Sequence, residues 1–485
     1  MEPQLNPERL ARLITDGLPY RPNRQQTLLI GALARFCDFE APRLYSKDRV
    51  FVLNGYAGTG KTSLCAALVN ALRRARISVV LMAPTGRAAK VFAAFAGCGA
   101  STIHRAIYRH ALPGMSGPPA LRENRASETV YIVDEASMIA DSSGPDRDSL
   151  LRDLVQYVFA GHENRLILLG DTAQLPPVGS EKSAAMDIDV LRSMSLSVSR
   201  ATLTEVARQA SGSGILRNAT RLRMAQAVSD PASLPPMSVI ARGYDDVAIA
   251  YPEDLPDLLA ACYREDGPEE TIVITRSNLS AANYNNAIRL NVLERLELIT
   301  AGDLLIAAKN NYFWTRNNRR IDFIANGELL RVVRVNGLET RYGLCFAELT
   351  LEVVDLPDSQ FDAKIIVDCL TDPAPGLESA KTTRLYRSVF TDPELMPPGA
   401  TDRERLNIMA RSPWYNALQV KFAYAVTCHK AQGGQWKNVF VDLSYVPPET
   451  LGLDFYRWLY TAVTRTRTRL YFINPPETFV DGGGE

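Results

Sequence analysis

Apolar residues in the first two hundred positions come in short unbroken runs, separated by stretches of helical spacing. VFVLNGY (50–56), SVVLMAP (78–84), TVYIVDEA (129–136) and RLILLGD (165–171) each read as a buried strand ending in turn residues. Between them, stretches such as TSLCAALVNALRRA (62–75) repeat apolar positions at helical intervals. Strands alternating with helices predict a parallel sheet covered on both faces. Polar residues just beyond such strands then fall at the carboxyl edge of the sheet, where ligands bind. A second α/β rhythm begins near 204, with TIVITRSN (271–278) as its clearest strand. From about 300 the pattern changes to alternating strands and turns, at 326–337, 341–355 and 361–370, which predicts a small β-barrel insertion. The stretch 371–412, rich in Pro, Asp and Arg, is expected to be irregular. Parallel-sheet texture returns at 421–433, 437–444 and 467–474, and residues 111–128 interrupt the first rhythm as a protruding loop or short hairpin. No repeat of 20–50 residues is visible.

Composition narrows the picture only slightly. The chain has 485 residues, enough for about three compact units at roughly 150 per domain. Its 46% hydrophobic and 22% charged content is that of an ordinary folded protein and argues against disorder. Lys and Arg number 54 and so do Asp and Glu, so bulk charge gives no hint of a nucleic-acid partner, which would need a local basic surface. No apolar run approaches the roughly 18 residues of a membrane span, and the start, MEPQLNPERLARL, is not expected to be a secretion signal. Seven scattered cysteines without a CxxC pair fit a reducing compartment, with a cytoplasmic protein expected, and give no zinc site.

Chemistry enters at Gly55-Tyr56-Ala57-Gly58-Thr59-Gly60-Lys61-Thr62, a complete GxxxxGK[ST] loop between an apolar strand and a helical pattern. Glycines there let backbone N–H groups turn inward around phosphate, and the following helix N-terminus adds favourable partial charge. Gly55, Gly58, Thr59, Gly60, Lys61, Thr62 and Ser63 are the expected ATP contacts. Lys61 is expected to reach the β- and γ-phosphates and Thr62 to bind Mg²⁺. Asp134-Glu135 closes the next apolar strand; Asp134 is expected in the Mg²⁺ shell and Glu135 to polarise the attacking water. These motifs predict a nucleoside triphosphatase.

Four further segments resemble the motifs of superfamily 1 helicases. Ala83-Pro84-Thr85-Gly86-Arg87-Ala88-Ala89-Lys90 is similar to motif Ia, and Gly170-Asp171-Thr172-Ala173-Gln174-Leu175-Pro176-Pro177-Val178 to motif III. Val426-Thr427-Cys428-His429-Lys430-Ala431-Gln432-Gly433 resembles motif V, and Tyr460-Thr461-Ala462-Val463-Thr464-Arg465-Thr466-Arg467 motif VI. The TIH at 102–104 resembles motif Ib and Arg208-Gln209 the arginine of motif IV. The resemblance spans about residues 20 to 475 in order, and the GDxxQLPPV and HKxQG wording is closest to the RecD/Dda branch. It implies an α/β fold of two RecA-like P-loop domains. Residues 1–200 would form the first, with a pin insertion at about 105–128. Residues 201–300 and 411–485 would form the second, with an SH3-like β-rich insertion at 301–410.

The same resemblance implies an ATP-dependent DNA helicase moving 5′→3′ on single-stranded DNA, in repair or recombination, as a monomer acting at single-strand/duplex junctions. Lys61, Thr62, Asp134, Glu135 and Gln174 would come from one lobe. Arg465 and Arg208 would reach the γ-phosphate from the other, and Gly433 would approach it through its backbone. Tyr20-Arg21-Pro22-Asn23-Arg24-Gln25-Gln26 looks like the adenine-reading motif, with Gln26 the expected reader and Gln25 the alternative. Thr85, Arg87, His104, Thr427 and His429 lie in segments that face DNA in the relatives. Trp314, within KNNYFWTR (309–316), is a candidate for base stacking or for packing the insertion against its host. Two other readings stay open: an RNA helicase of the same superfamily, and an ATP-regulated single-strand-binding protein that does not unwind. A small-molecule kinase leaves the motif V and VI matches unexplained.

Overall fold

The computed structural model describes residues 6–39, 48–109, 120–139, 149–206, 212–227 and 234–480, apart from 317, 319, 322, 355 and 357. The first lobe holds β1 (Arg49–Gly55), β2 (Ser78–Ala83), β3 (Ala100–Thr102), β4 (Thr129–Val133), β5 (Arg165–Gly170) and β6 (Ser197–Leu203). They form one sheet in the order β3-β2-β4-β5-β1-β6, every pair parallel. Alternate side chains of the central strands feed two separate cores. Phe51, Leu53, Ile132 and Ile167 pack on one face, and Val50, Val52, Val133 and Leu168 on the other. Burial on both faces is why these strands read as continuous apolar runs rather than alternating ones.

The second lobe opens with β7 (Val247–Ala250) and β8 (Thr271–Thr275). The chain then leaves for an antiparallel sheet of β9 (Leu304–Ala307), β10 (Leu329–Arg341), β11 (Leu344–Val353), β12 (Phe361–Ile366) and β13 (Val420–Phe422), ordered β12-β11-β10-β9-β13. It returns in β14 (Ala425–Thr427), β15 (Trp436–Asp442) and β16 (Thr466–Ile473), which join β7 and β8 as a parallel sheet ordered β14-β8-β15-β16-β7. Only Ala423 and Tyr424 separate β13 from β14. The Tyr424 hydroxyl donates to Asp303 at 2.9 Å and accepts the Leu304 N–H, so the insertion is sewn to its host lobe at that point.

Two details differ from the sequence reading. The antiparallel sheet closes at β13, about ten residues past the expected boundary at 410. The segment expected to be irregular carries the helices Ser379–Phe390 and Asp402–Met409. Leu385, Val389 and Met409 pack there beneath Leu344 and Phe346, a sparse apolar stripe that the flanking prolines and charges conceal. At the foot of the 111–128 interruption, Tyr108 pairs with Leu121 antiparallel, and the Arg109 N–H bonds the Ala120 carbonyl at 2.8 Å. Residues 110–119 lie outside the described residues. No helix among the described residues is long and apolar enough to cross a membrane.

Candidate active site

Because β4, β5 and β1 are neighbours, their carboxyl ends bring Asp134, Asp171 and the loop 55–62 to one edge. The loop is shaped by Gly58 and Gly60, at φ 74° and 78°, where L side chains are strained. Space is closed to them as well: a Cβ at Gly60 would lie 2.5 Å from the Tyr20 hydroxyl, and one at Gly58 would lie 2.8 Å from Leu216. Gly60 precedes the helix Lys61–Arg74, whose first turn carries no side-chain cap, so its N–H groups face the loop. Lys61 acts electrostatically on both Asp134 and Asp171, opposing the burial that raises each carboxyl. For Asp134 burial dominates and pushes it up to about 6, with Glu135 beside it adding to the rise.

Across from this edge stands the second lobe. A cleft of about 340 Å³ is lined by Gly55, Gly58, Gly60, Lys61, Thr62, Ser63, Asp134, Glu135 and Gln174 from one side and by Gly433, Thr464 and Arg465 from the other. Arg465, 2% exposed, lies 3.6 Å from Glu135 through Nη1 and Oε1. Its Nε donates to the Thr461 carbonyl at 3.1 Å, which fixes the guanidinium in the seam. Glu135 sits in the left-handed region at φ 52°, a strained setting that needs its surroundings to hold it. Its Oε2 and the Gln174 Oε1 are buried without a hydrogen-bond partner. Such orphaned acceptors fit a site built for a water or cation shell that the protein itself does not supply. Among the described residues no three His, Cys, Asp or Glu side chains converge on a metal.

Gln26 lies beneath the loop rather than in the cleft lining. Its Nε2 donates to the Thr59 carbonyl at 3.0 Å and to the Tyr20 hydroxyl at 3.4 Å, while its Oε1 accepts the Asn23 N–H at 3.1 Å in a helix capping box. Its amide N–H groups are therefore spent on the Thr59 carbonyl of the phosphate-binding loop and on Tyr20. Gln25 instead ties Thr204 and Glu205 just after β6. Arg208 lies outside the described residues.

The residues expected on a nucleic-acid track divide. Thr85 caps the helix Gly86–Ala96, its Oγ1 accepting the Ala88 N–H at 3.2 Å. Gly433, at φ 74°, presses on it so closely that a Cβ would come within 2.9 Å of that oxygen. Arg87 reaches across the seam, donating to the Gln435 carbonyl at 3.2 Å and lying 4.0 Å over the Trp436 ring. Arg87 thus joins lobe to lobe, while Thr85 lies against Gly433 at the seam. His104 is half-buried 5.7 Å from Tyr108, and burial lowers its pKa. Thr427 ends β14 and lines a small cavity with Asn278, Lys421 and Lys430, while His429 is exposed. Trp314 donates its indole N–H to the Asn416 carbonyl at 2.8 Å and packs on the common core, so the packing alternative describes its contacts.

Sequence reading did not single out Tyr460, Thr461, Gln432 or Trp436, all of which touch the first lobe. All but Trp436 lie inside the quoted motif V and VI segments; only the folded seam shows which of their side chains point across it.

A model of the AAA domain matches residues 41–231, and one of the UvrD-like helicase C-terminal domain matches 422–473. The ATP-dependent RecD2 DNA helicase of Deinococcus radiodurans is 27% identical over 87% of this chain and 46% of its own length, so the chain spans about half of that relative. The ATP-dependent DNA helicase dda of Enterobacteria phage T4 is 23% identical over 88% of this chain and 95% of its own. A Bacteroides Pif1 helicase, crystallised with ADP-AlF3 and single-stranded DNA, covers 94% of both chains at 15% identity and a TM-score of 0.46. With both family models and the ordered motifs in place, the chain is similar to the superfamily 1 helicases, in particular to the RecD and Pif1 enzymes.

Proposed function

We propose that the chain is an ATP-driven DNA helicase that translocates 5′→3′ on single-stranded DNA and opens duplex at junctions. The observation that carries this reading is the shared cleft: Lys61 of one lobe and Arg465 of the other line the same space, with Glu135 beside Arg465. The relatives named as DNA helicases support the substrate class; the polarity rests on the resemblance of the motifs to the RecD/Dda branch.

In this reading the two lobes are RecA-like domains, the 105–128 segment is the pin and the antiparallel sheet is the SH3-like insertion. Thr62 and Asp134 would hold Mg²⁺, which would supply positive charge against the phosphates. Lys61 and the N–H groups of the loop bind phosphate. Glu135 and Gln174 orient the attacking water through the oxygens they leave unpaired. Arg465, now beside Glu135, turns to the γ-phosphate, an interaction typically worth 10³–10⁵ in rate. Its charge is best matched while the outer phosphate is present, so hydrolysis loosens the seam and the lobes part along the strand.

Duplexes bearing a 5′ tail, a 3′ tail or no tail, incubated with ATP, test this directly. Strand separation is expected with the 5′ tail. Unwinding confined to the 3′ tail would overturn the polarity, and none in any arm would overturn the helicase reading.

A further inference from the structure

Tyr460 is 1% exposed on the helix Leu453–Val463, five residues before Arg465. Its hydroxyl donates to Asp171 Oδ2 at 2.6 Å and accepts the N–H of Ala57, within the phosphate-binding loop, at 3.0 Å. Both partners belong to the opposite lobe. The next residue continues the contact: Thr461 Oγ1 accepts the Leu175 N–H at 2.8 Å, and Gln432 donates to the Leu175 carbonyl at 2.8 Å. Burial keeps the phenol protonated, raising its pKa well above the ordinary value.

The geometry points to Tyr460 as a positioning residue: its hydroxyl is a neutral catch that holds the second lobe on the phosphate-binding loop when the cleft is closed. The assignment rests on the ATPase reading above. The Arg465 contact depends on the charge between the lobes, whereas the catch joins a hydroxyl to fixed first-lobe groups and needs no phosphate. When the lobes part, water replaces it on both Asp171 and Ala57. When they meet without it, a buried carboxylate oxygen and an amide lose their partner, so the penalty falls on the closed form alone. Apparent ATP affinity scales with the fraction of protein able to close, and turnover at saturation does not.

Steady-state ATPase assays with single-stranded DNA, on wild type, Tyr460→Phe, Arg465→Ala and Lys61→Ala, separate the possibilities. Tyr460→Phe is expected to raise KM for ATP about tenfold, as for loss of a hydrogen bond to a charged group, with kcat held within about threefold. Arg465→Ala is expected to lower kcat instead. An unchanged KM in Tyr460→Phe, or a loss confined to kcat, overturns the catch. Absent turnover in wild type overturns the ATPase reading itself, whatever Tyr460 does. Should Tyr460→Phe not fold by circular dichroism, Asp171→Asn, which keeps an acceptor without its charge, is expected to raise KM by a smaller factor; no rise overturns the assignment.

Discussion

Glu135 shows how much a single position can carry. Its backbone is held at φ 52°, one carboxylate oxygen faces Arg465 and the other has no partner. Glu135→Gln is expected to keep ATP binding and lose nearly all turnover, because the amide fills the same space without accepting a proton; nucleotide binding measured beside single-turnover hydrolysis checks it. Lys61→Ala is expected to abolish hydrolysis and unwinding while much DNA binding remains, read by ATPase and gel-shift assays. Identity and spacing made these residues legible in the sequence, since a GxxxxGK[ST] loop followed by an acidic strand end has few other uses. Gln26 was read in the sequence as the residue that meets adenine. Its service as a brace under Thr59 became visible only when the helix was set against the loop.

At the scale of elements, the loop 55–62 depends on glycines that are both strained and crowded. Gly60→Ala places a methyl against Tyr20 and Gln26 and is expected to cost about 1–3 kcal/mol locally. The expected result is a raised KM for ATP and a lowered melting temperature, measured by kinetics and calorimetry. The central strands of both parallel sheets were read from their apolar runs because they are buried on two faces, whereas β3, β6 and β7, partly open to solvent, were not. The helices Ser379–Phe390 and Asp402–Met409 escaped because each buries only one or two residues, too few to set a period against Pro and charge.

At the scale of the molecule, lobe and insertion also meet through Lys90 and Glu328, 2.9 Å apart beside a groove that Arg105 and Arg320 help to line. If the strand crosses this groove, a phosphate competes with Glu328 for Lys90. Glu328→Gln is then expected to tighten single-strand binding and steepen the slope of log K against log salt by about 0.7, the increment for one added phosphate. Oligonucleotide titrations at several salt concentrations measure it. Neutral overall charge concealed this, because the basic side chains are gathered by folding rather than by position in the chain.

By itself the sequence determined the two parallel-sheet rhythms, the phosphate-binding loop, the acidic pair and the order of motifs, since each is encoded in neighbouring residues with fixed spacing. Tertiary structure alone decided the seam: Arg465 against Glu135, Arg87 over Trp436, and Tyr460 between Asp171 and Ala57. Those pairs stand hundreds of residues apart, and a buried hydrogen bond or ring contact depends on ångström-scale placement that local pattern does not carry.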